Sequence, residues 1–207
     1  MPHVKELLVD ELQDLLDAEE QLTEALPKMV EAAKSSNLKE AFQKHLTQTQ
    51  GQVERLQKVF ELLGEPAEAK PCKAMMGLIK EGNETIEEGA DKDPLAADLA
   101  LIAAAQKVEH YEIASYGTVR VMAKQIGEIE VARLLSHTLG EEESADFLLT
   151  AIADPLLQQA TLDDMNGDVD LQSVGSRPAA KKKDPAQDVR MKQTAANRAS
   201  PRQPHKR

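Results

Sequence analysis

Apolar residues recur through the first part of the chain at the three-, four- and seven-residue intervals of an amphipathic helix. The first such segment runs from Val4 to about Lys34. Its apolar positions are Leu8, Leu12, Leu15, Leu22, Leu26 and Val30. Pro27 lies inside this pattern, and we expect it to kink the helix without ending it, because the apolar spacing continues beyond it.

A second long helix is predicted directly after the first. Asn37 precedes Glu40 by three residues, which is the spacing of a residue pair that caps a helix start. The pattern then continues to Gly64, with Pro66 beyond it, and both residues favour a helix end there. The apolar positions of this helix are Leu38, Phe42, Leu46, Val53, Leu56, Phe60 and Leu63.

The segment 65–92 is less regular, and we predict one short helix in it, at about Met75–Glu88. Asp93 followed by Pro94 is typical of a helix start, since aspartate caps and proline suits the first turn. A third long helix should therefore run from there to about Gln125.

Gly127 predicts the end of the third long helix and a tight connection to a fourth. The fourth should cover about Glu128–Ala153. Asp154-Pro155 then predicts a separate short C-terminal helix, which we expect to end before Asn166-Gly167.

These elements predict an all-α fold, a four-helix bundle over residues 1–165 with an accessory short helix and a C-terminal helix. The composition agrees, because aromatic residues are only 2% of the chain and tryptophan is absent. The core must then consist of Leu, Ala, Ile, Val and Met, and strands prefer β-branched and aromatic residues.

The charge divides the chain into two parts. Residues 173–207 hold ten basic and two acidic residues, a net charge of +8, so that residues 1–172 carry −19 of the total of −11. Residues 166–207 lack the apolar content that ordering requires, and we predict a disordered basic tail. Its segment 177–207 could bind nucleic acid without sequence specificity, or it could only solubilise the protein and screen the acidic body.

Three absences indicate a cytoplasmic protein without a membrane partner. The single cysteine, Cys72, has no partner for an internal disulfide. No apolar run reaches the roughly 18–20 residues of a membrane span. The N-terminal sequence also lacks the apolar core of a signal peptide.

Ionisable residues interrupt the apolar stripe near the middle of every long helix. The six candidates are Glu19 in the first long helix, His45 in the second, Glu109 and Glu112 in the third, and Glu142 and Asp146 in the fourth. Each lies three, four or seven residues from apolar positions of its own stripe, so its side chain is expected to face the bundle interior.

Buried carboxylates that converge without a cation repel one another, and each unpaired charge costs several kcal/mol or more. Two divalent metal ions would neutralise them, and oxygen ligands with one imidazole suit iron or manganese better than zinc. Taken singly, each glutamate is more often a solvated residue, and His45 more often a hydrogen-bonded core histidine. Their coincidence on four helices favours a metal site. Tyr111 and Tyr116 are expected to be packing residues, and His110 a surface residue.

The same residues lie in segments that resemble the YciE/YciF-type ferritin-like family of bacterial stress-associated proteins. The resemblance covers residues 4–160, and its most specific segment is LIAAAQKVEHYEIASYGT, residues 101–118. Shorter matching pieces are DAEEQL at 17–22, KHLTQT with QVERL within 44–56, KAMMGL at 73–78 and EEESAD at 141–146. The resemblance implies a ferritin-like four-helix core, a di-metal centre and a homodimer.

The chain departs from the usual ferritin-like ligand pattern at two points. Such sites take Glu-x-x-His from two helices, whereas here Gln48 follows His45, and Glu142 is followed by Asp146 without a histidine. If two iron ions, or manganese, bind at this site, we expect the protein to oxidise Fe(II) or to remove peroxide. The alternative is a non-enzymatic dimeric stress scaffold whose buried polar cluster fixes the register of the helices.

Overall fold

A computed structural model of the protein describes residues 2–172, which contain five α-helices and no strand. The helices are α1 (Pro2–Ala32), α2 (Ser36–Leu63), α3 (Lys73–Gly89), α4 (Pro94–Ile126) and α5 (Ile129–Gln172). Residues 1–166 form one compact unit. The disorder and nucleic-acid binding predicted for the basic tail concern mainly residues 173–207, which lie outside the described residues.

Several helix ends follow the signals in the sequence. Asp93 caps α4 by accepting hydrogen bonds from the backbone N–H groups of Leu95 and Ala96, and Pro94 occupies the first turn as predicted. Gly64 and Gly127 end α2 and α4 in the left-handed conformation, with φ of 69° and 92°. Glycine adopts this conformation without the steric cost that other residues meet.

The start of α2 differs from the prediction, because Ser35 and not Asn37 is the capping residue. The Ser35 hydroxyl accepts a hydrogen bond from the N–H of Leu38 at 3.4 Å. The buried carboxylate of Asp98 accepts the N–H groups of Lys34 at 2.7 Å and Ser35 at 2.8 Å. The Asp98 carboxylate and the Ser35 hydroxyl therefore end α1 and begin α2 earlier than the sequence pattern indicated.

The separate C-terminal helix predicted from Asp154-Pro155 is wrong, because α5 continues through Pro155 to Gln172. Proline removes only one helical hydrogen bond, the one that would reach the carbonyl of Ala151. Ala151 is exposed, so water can satisfy that carbonyl, and Asp154 does not act as a cap. The helix also passes Asn166-Gly167, so the first residues of the predicted tail are helical.

The bundle consists of α1, α2, α4 and α5, with α3 as the accessory helix. α1 and α2 are antiparallel, and the segment 64–72 then returns along α1, where the N–H of Lys70 donates to the carbonyl of Gln13 at 3.0 Å. This crossover makes α4 parallel to α2, and α5 reverses direction after Gly127. One long crossover between the second and third bundle helices is the ferritin-like topology, so the predicted fold is confirmed.

The apolar core has two layers, one on each side of a polar band. The first layer contains Leu8, Leu12, Leu15, Leu56, Phe60, Val119 and Leu135, among others. The second contains Leu22, Leu26, Leu38, Phe42, Met75, Ile102 and Leu149, among others. Burial of each such side chain stabilises the fold by about 1.5–3 kcal/mol. The two packed apolar layers therefore hold the polar residues between them in place.

Among the described residues, none of the helices combines the length and the apolar character that crossing a membrane requires.

Candidate metal centre

Four of the six predicted ligands converge within the polar band. One ligand atom from each of His45, Glu109, Glu112 and Glu142 lies within 4.8 Å of the others. They come from α2, α4 and α5, and all four side chains are buried. Glu109 and Glu112 share one face of α4 because residues three apart are neighbours on a helix surface.

The four side chains have few hydrogen-bond partners of their own. His45 Nε2 lies 3.4 Å from Glu109 Oε1 and 3.8 Å from Glu142 Oε2. Both ring nitrogens of His45, both oxygens of Glu112 and Oε2 of Glu109 and of Glu142 are buried without a hydrogen bond. Buried polar atoms are nearly always paired, so this concentration of unpaired ligand atoms marks the group as a candidate metal site.

Glu19 lies beside this group without belonging to it. Its side chain on α1 is fully buried, and Tyr116 donates a hydrogen bond to its Oε1 at 2.5 Å. Its Oε2 has no partner. Burial is the main cause that raises the pKa of Glu112, and the charges of Glu19 and Glu142 raise it further, so Glu19 lies close enough to interact with the group.

Asp146 is not brought into the group of four. It lies one turn beyond Glu142 on α5 and is partly exposed at the rim. Its Oδ1 accepts a hydrogen bond from Gln106 Nε2 at 3.0 Å and lies 3.5 Å from Nε2 of His110. His110 is exposed, as predicted. Asp146 already has partners at the surface, and its role as a ligand stays a prediction.

Burial dominates the electrostatics of the centre. It raises the pKa of Glu109 to about 8 and that of Glu142 to about 9, and it raises the pKa values of Glu19 and Glu112 well above their usual range. Burial also lowers the pKa of His45 to about 4. Without a cation, Glu109 and Glu142 are therefore mostly protonated at pH 7, and the His45 imidazole is neutral.

The sequence did not single out the residues that orient Glu142. Gln52 on α2 is fully buried, and its amide donates hydrogen bonds to Oε1 of Glu142 and, at 3.1 Å, to Oε2 of Glu141. Arg55 donates to Glu141 at 2.9 Å and to the hydroxyl of Thr138 at 2.6 Å. The available signal was the position of Gln52 on the buried stripe of α2, seven residues after His45.

Tyr111 and Tyr116, expected to be packing residues, also donate hydrogen bonds. Tyr111 donates a hydrogen bond to Asp14 at 2.7 Å, and its hydroxyl lies 3.0 Å from Sγ of Cys72. Cys72 in turn caps α3 by accepting the N–H of Met75, and burial raises the pKa of its thiol. This network attaches the start of the accessory helix to α1 and α4, and none of its hydrogen bonds goes to the four grouped residues.

The donor set fits a divalent transition metal. A metal–ligand distance of about 2.1 Å separates opposite ligand atoms by about 4.2 Å. The observed limit of 4.8 Å exceeds that separation by about 0.6 Å. Three carboxylates and one imidazole suit iron or manganese, and no cysteine lies in the group.

Comparison with known proteins then decides the family. Residues 3–162 match the family described as "Domain of unknown function (DUF892)". The chain belongs to the DUF892 family. It is 45% identical over 154 residues to Protein YciF of Escherichia coli (strain K12), and the match covers 74% of this chain and 92% of YciF.

Solved structures of relatives agree with this assignment. The crystal structure of the E. coli stress protein YciF matches with a TM-score of 0.73 and 43% identity, over 76% of this chain and 99% of that one. YcfI of Rhodopseudomonas palustris matches with a TM-score of 0.68 and 43% identity, over 71% and 92% of the two chains. A Xanthomonas campestris protein, at 23% identity and a TM-score of 0.61 over 78% and 99% of the two chains, supports the fold alone. The resemblance to YciE/YciF-type proteins is confirmed.

Proposed function

We propose that this DUF892 protein binds Fe(II) or Mn(II) through His45, Glu109, Glu112 and Glu142. The observation that carries the proposal is the set of buried ligand atoms without hydrogen bonds, which come from three helices and meet within 4.8 Å. A cation in their midst supplies the missing partners and allows the carboxylates to ionise.

A second ion requires Glu19. Its unpaired Oε2 is buried, and the charge of Glu142 contributes to raising the pKa of Glu19, so the two carboxyl groups are close enough to interact. Glu112 has two unpaired oxygens and can ligate two ions at once. Glu19 with Glu112 and Glu142 therefore offers a second set of oxygen ligands next to the first.

Iron held by these residues would supply redox chemistry, namely the oxidation of Fe(II) by dioxygen or by hydrogen peroxide. The protein's part is to hold the ligands and exclude bulk water. Tyr116 fixes Glu19, Gln52 fixes Glu142, and the two apolar layers close the site. A role in stress is part of the proposal, because the related YciF is described as a stress protein.

Elemental analysis after aerobic incubation with Fe(II) tests the proposal. We expect up to two iron ions per chain in the wild type and a clear loss in Glu142→Gln. Glu143→Gln is the matched control, because Glu143 is the exposed neighbour on the same helix. A stoichiometry near zero in the wild type, unchanged in Glu142→Gln, would reject the metal site.

The second candidate is a scaffold without metal chemistry. It is favoured by the direct hydrogen bonds from Gln52 and Arg55 to α5, which join two helices of the bundle without any ion. Melting temperatures with chelator and with Fe(II) or Mn(II) separate the two candidates. Mass action predicts a higher melting temperature with metal for a metal protein and no change for a scaffold.

A further inference from the structure

A cavity of about 40 Å³ lies beside the proposed metal centre, enclosed by α1, α2, α3 and α4. His45 and Glu109, two of the four grouped ligands, form part of its wall. The remaining wall is mostly hydrocarbon, including Leu22, Leu26, Met29, Phe42, Ile79 and Ala105. One water molecule needs about 10–15 Å³ measured in this way, so the cavity accommodates a molecule of a few atoms.

The accessory helix α3 forms one wall of the cavity, and the space in this wall lies beside Gly82. Gly82 is buried in this wall, and a Cβ built on it would meet no atom within 4 Å. Ala25, Asn83 and Ile86 line the same cavity and are partly exposed, so the opening lies between α1 and α3. The four bundle helices alone would not enclose this space.

We propose that the cavity admits a small uncharged apolar molecule, of the class of dioxygen, to a metal held at His45 and Glu109. The proposal rests on the proposed metal site. A hydrated cation or a charged substrate would lose its water against hydrocarbon walls, whereas an apolar molecule loses little. Apolar cavities of protein interiors bind uncharged gases such as xenon for the same reason.

Charged and polar species have a different approach to the same ligands. A crevice of about 30 Å³ between α2 and α5 also reaches His45 and Glu109, and Lys44, Gln48 and Ser144 line it. Its polar side chains can replace part of a hydration shell. The crevice also has apolar lining residues, but its polar side chains offer polar molecules a route that the mostly hydrocarbon cavity does not.

Xenon is the probe for the cavity, and Gly82→Leu is the variant that fills it. Crystals of the full chain under xenon pressure should show xenon beside His45 in the wild type. Gly77→Leu is the matched control, because Gly77 is an exposed glycine of the same helix with open space around it. We expect Gly77→Leu to keep the xenon site and Gly82→Leu to lose it. Gly82→Ala is a second variant for the case in which the leucine disturbs packing. It adds a single methyl group and should reduce the occupancy of xenon.

The second measurement is the rate at which bound Fe(II) is oxidised. In Gly82→Leu the rate with dioxygen should fall at least tenfold, and the iron stoichiometry should stay that of the wild type. The rate with hydrogen peroxide, a polar molecule, should change less than twofold. Gly77→Leu should match the wild type in all three quantities.

The outcomes distinguish the cavity from the metal site. Xenon absent from the wild-type cavity, or bound equally in Gly82→Leu, overturns the proposal. Normal iron binding with an unchanged dioxygen rate in Gly82→Leu overturns it as well, and leaves the metal site standing. No bound iron in any variant, with xenon still in the cavity, overturns the proposed function and with it the role of the cavity.

Discussion

The hydroxyl of Tyr116 on α4 donates a hydrogen bond to Oε1 of Glu19 on α1, in the buried band between the two layers of the core. This bond is the one hydrogen bond that the structure gives to the Glu19 side chain, whose other oxygen has none. The Glu19 carboxyl group thus depends on one tyrosine in the metal-free protein, and on metal as well in the loaded one.

Tyr116→Phe should destabilise the metal-free protein by about 1–3 kcal/mol, because it leaves a buried oxygen without its donor. With Mn(II) bound, the loss should be smaller, since the metal then satisfies Glu19. Urea unfolding with chelator and with excess Mn(II) measures both values.

Tyr111→Phe is the control for this prediction. The Tyr111 hydroxyl bonds to Asp14 and Cys72 and to none of the grouped residues or Glu19. Its removal should cost the same free energy of unfolding with and without metal. An equal cost in both conditions for Tyr116→Phe would show that Glu19 is not a ligand.

The metal-free protein should lose stability as the pH rises from 6.5 to 9. Burial raises the pKa of Glu109 to about 8 and of Glu142 to about 9, while both ionise near 4.5 in the unfolded chain. Between these values the folded state binds more protons than the unfolded state, so the free energy of unfolding falls with pH, by up to about 1.4 kcal/mol per pH unit for each such proton.

The pKa shift of His45 has the opposite effect on the pH dependence of stability, and it acts over a different pH range. Burial lowers its pKa to about 4 from 6.5, so its contribution to stability rises between those values and is constant above 6.5. Urea unfolding at pH 6.5, 7.5 and 8.5 therefore isolates the carboxyl groups. Bound Mn(II) should flatten or reverse the slope, because metal affinity increases as the carboxyl groups lose their protons. A metal-free protein that is equally stable at all three pH values would contradict the buried, protonated cluster.

The sequence predicted the bundle well because its signals are local and repeated. The caps and breakers at Asp93, Gly64 and Gly127 each act on neighbouring residues, and the apolar stripes repeat over many turns. Asp98 shows what such signals miss, since its partners at Lys34 and Ser35 are more than sixty residues away. Pro155 shows that a strong local signal can also fail where the affected carbonyl is exposed.

The candidate site was predicted less completely for a related reason. Helical spacing identifies which side chains face inwards, and it correctly placed Glu19, His45, Glu109, Glu112 and Glu142 in the buried band. It does not tell how far along the axis two helices meet. Asp146 lies one turn beyond Glu142 on α5, where Gln106 and His110 are its partners, and its role as a ligand stays a prediction.

Asp98→Asn should destabilise the bundle by about 1–3 kcal/mol, because an amide oxygen replaces only one of the two carboxylate acceptors, and the backbone N–H of Lys34 or Ser35 then loses its partner. Asp91→Asn, at an exposed position before α4, is the control and should cost less than about 0.5 kcal/mol. Iron stoichiometry should be unchanged in both variants. Loss of metal in Asp98→Asn without loss of stability would contradict a purely structural role.

Gln52→Leu should weaken metal binding by about 10–100-fold, the usual effect of removing a residue that orients a ligand. The leucine keeps the volume of the buried side chain but no longer donates to Glu142, whose carboxylate can then rotate away from the metal. Titration with Mn(II), followed by calorimetry, gives the dissociation constant.

Gln57→Leu is the control, since Gln57 is an exposed residue of the same helix, and its dissociation constant should equal that of the wild type. The metal-free Gln52→Leu protein should lose about 1–3 kcal/mol of stability, because the hydrogen bonds of Gln52 to Glu142 and to Glu141 are both removed. If Mn(II) binds to Gln52→Leu as tightly as to the wild type, Glu142 is either held by other groups or is not a ligand. Titration of Glu142→Gln then decides between these two explanations, because only the first predicts a loss of binding in that variant.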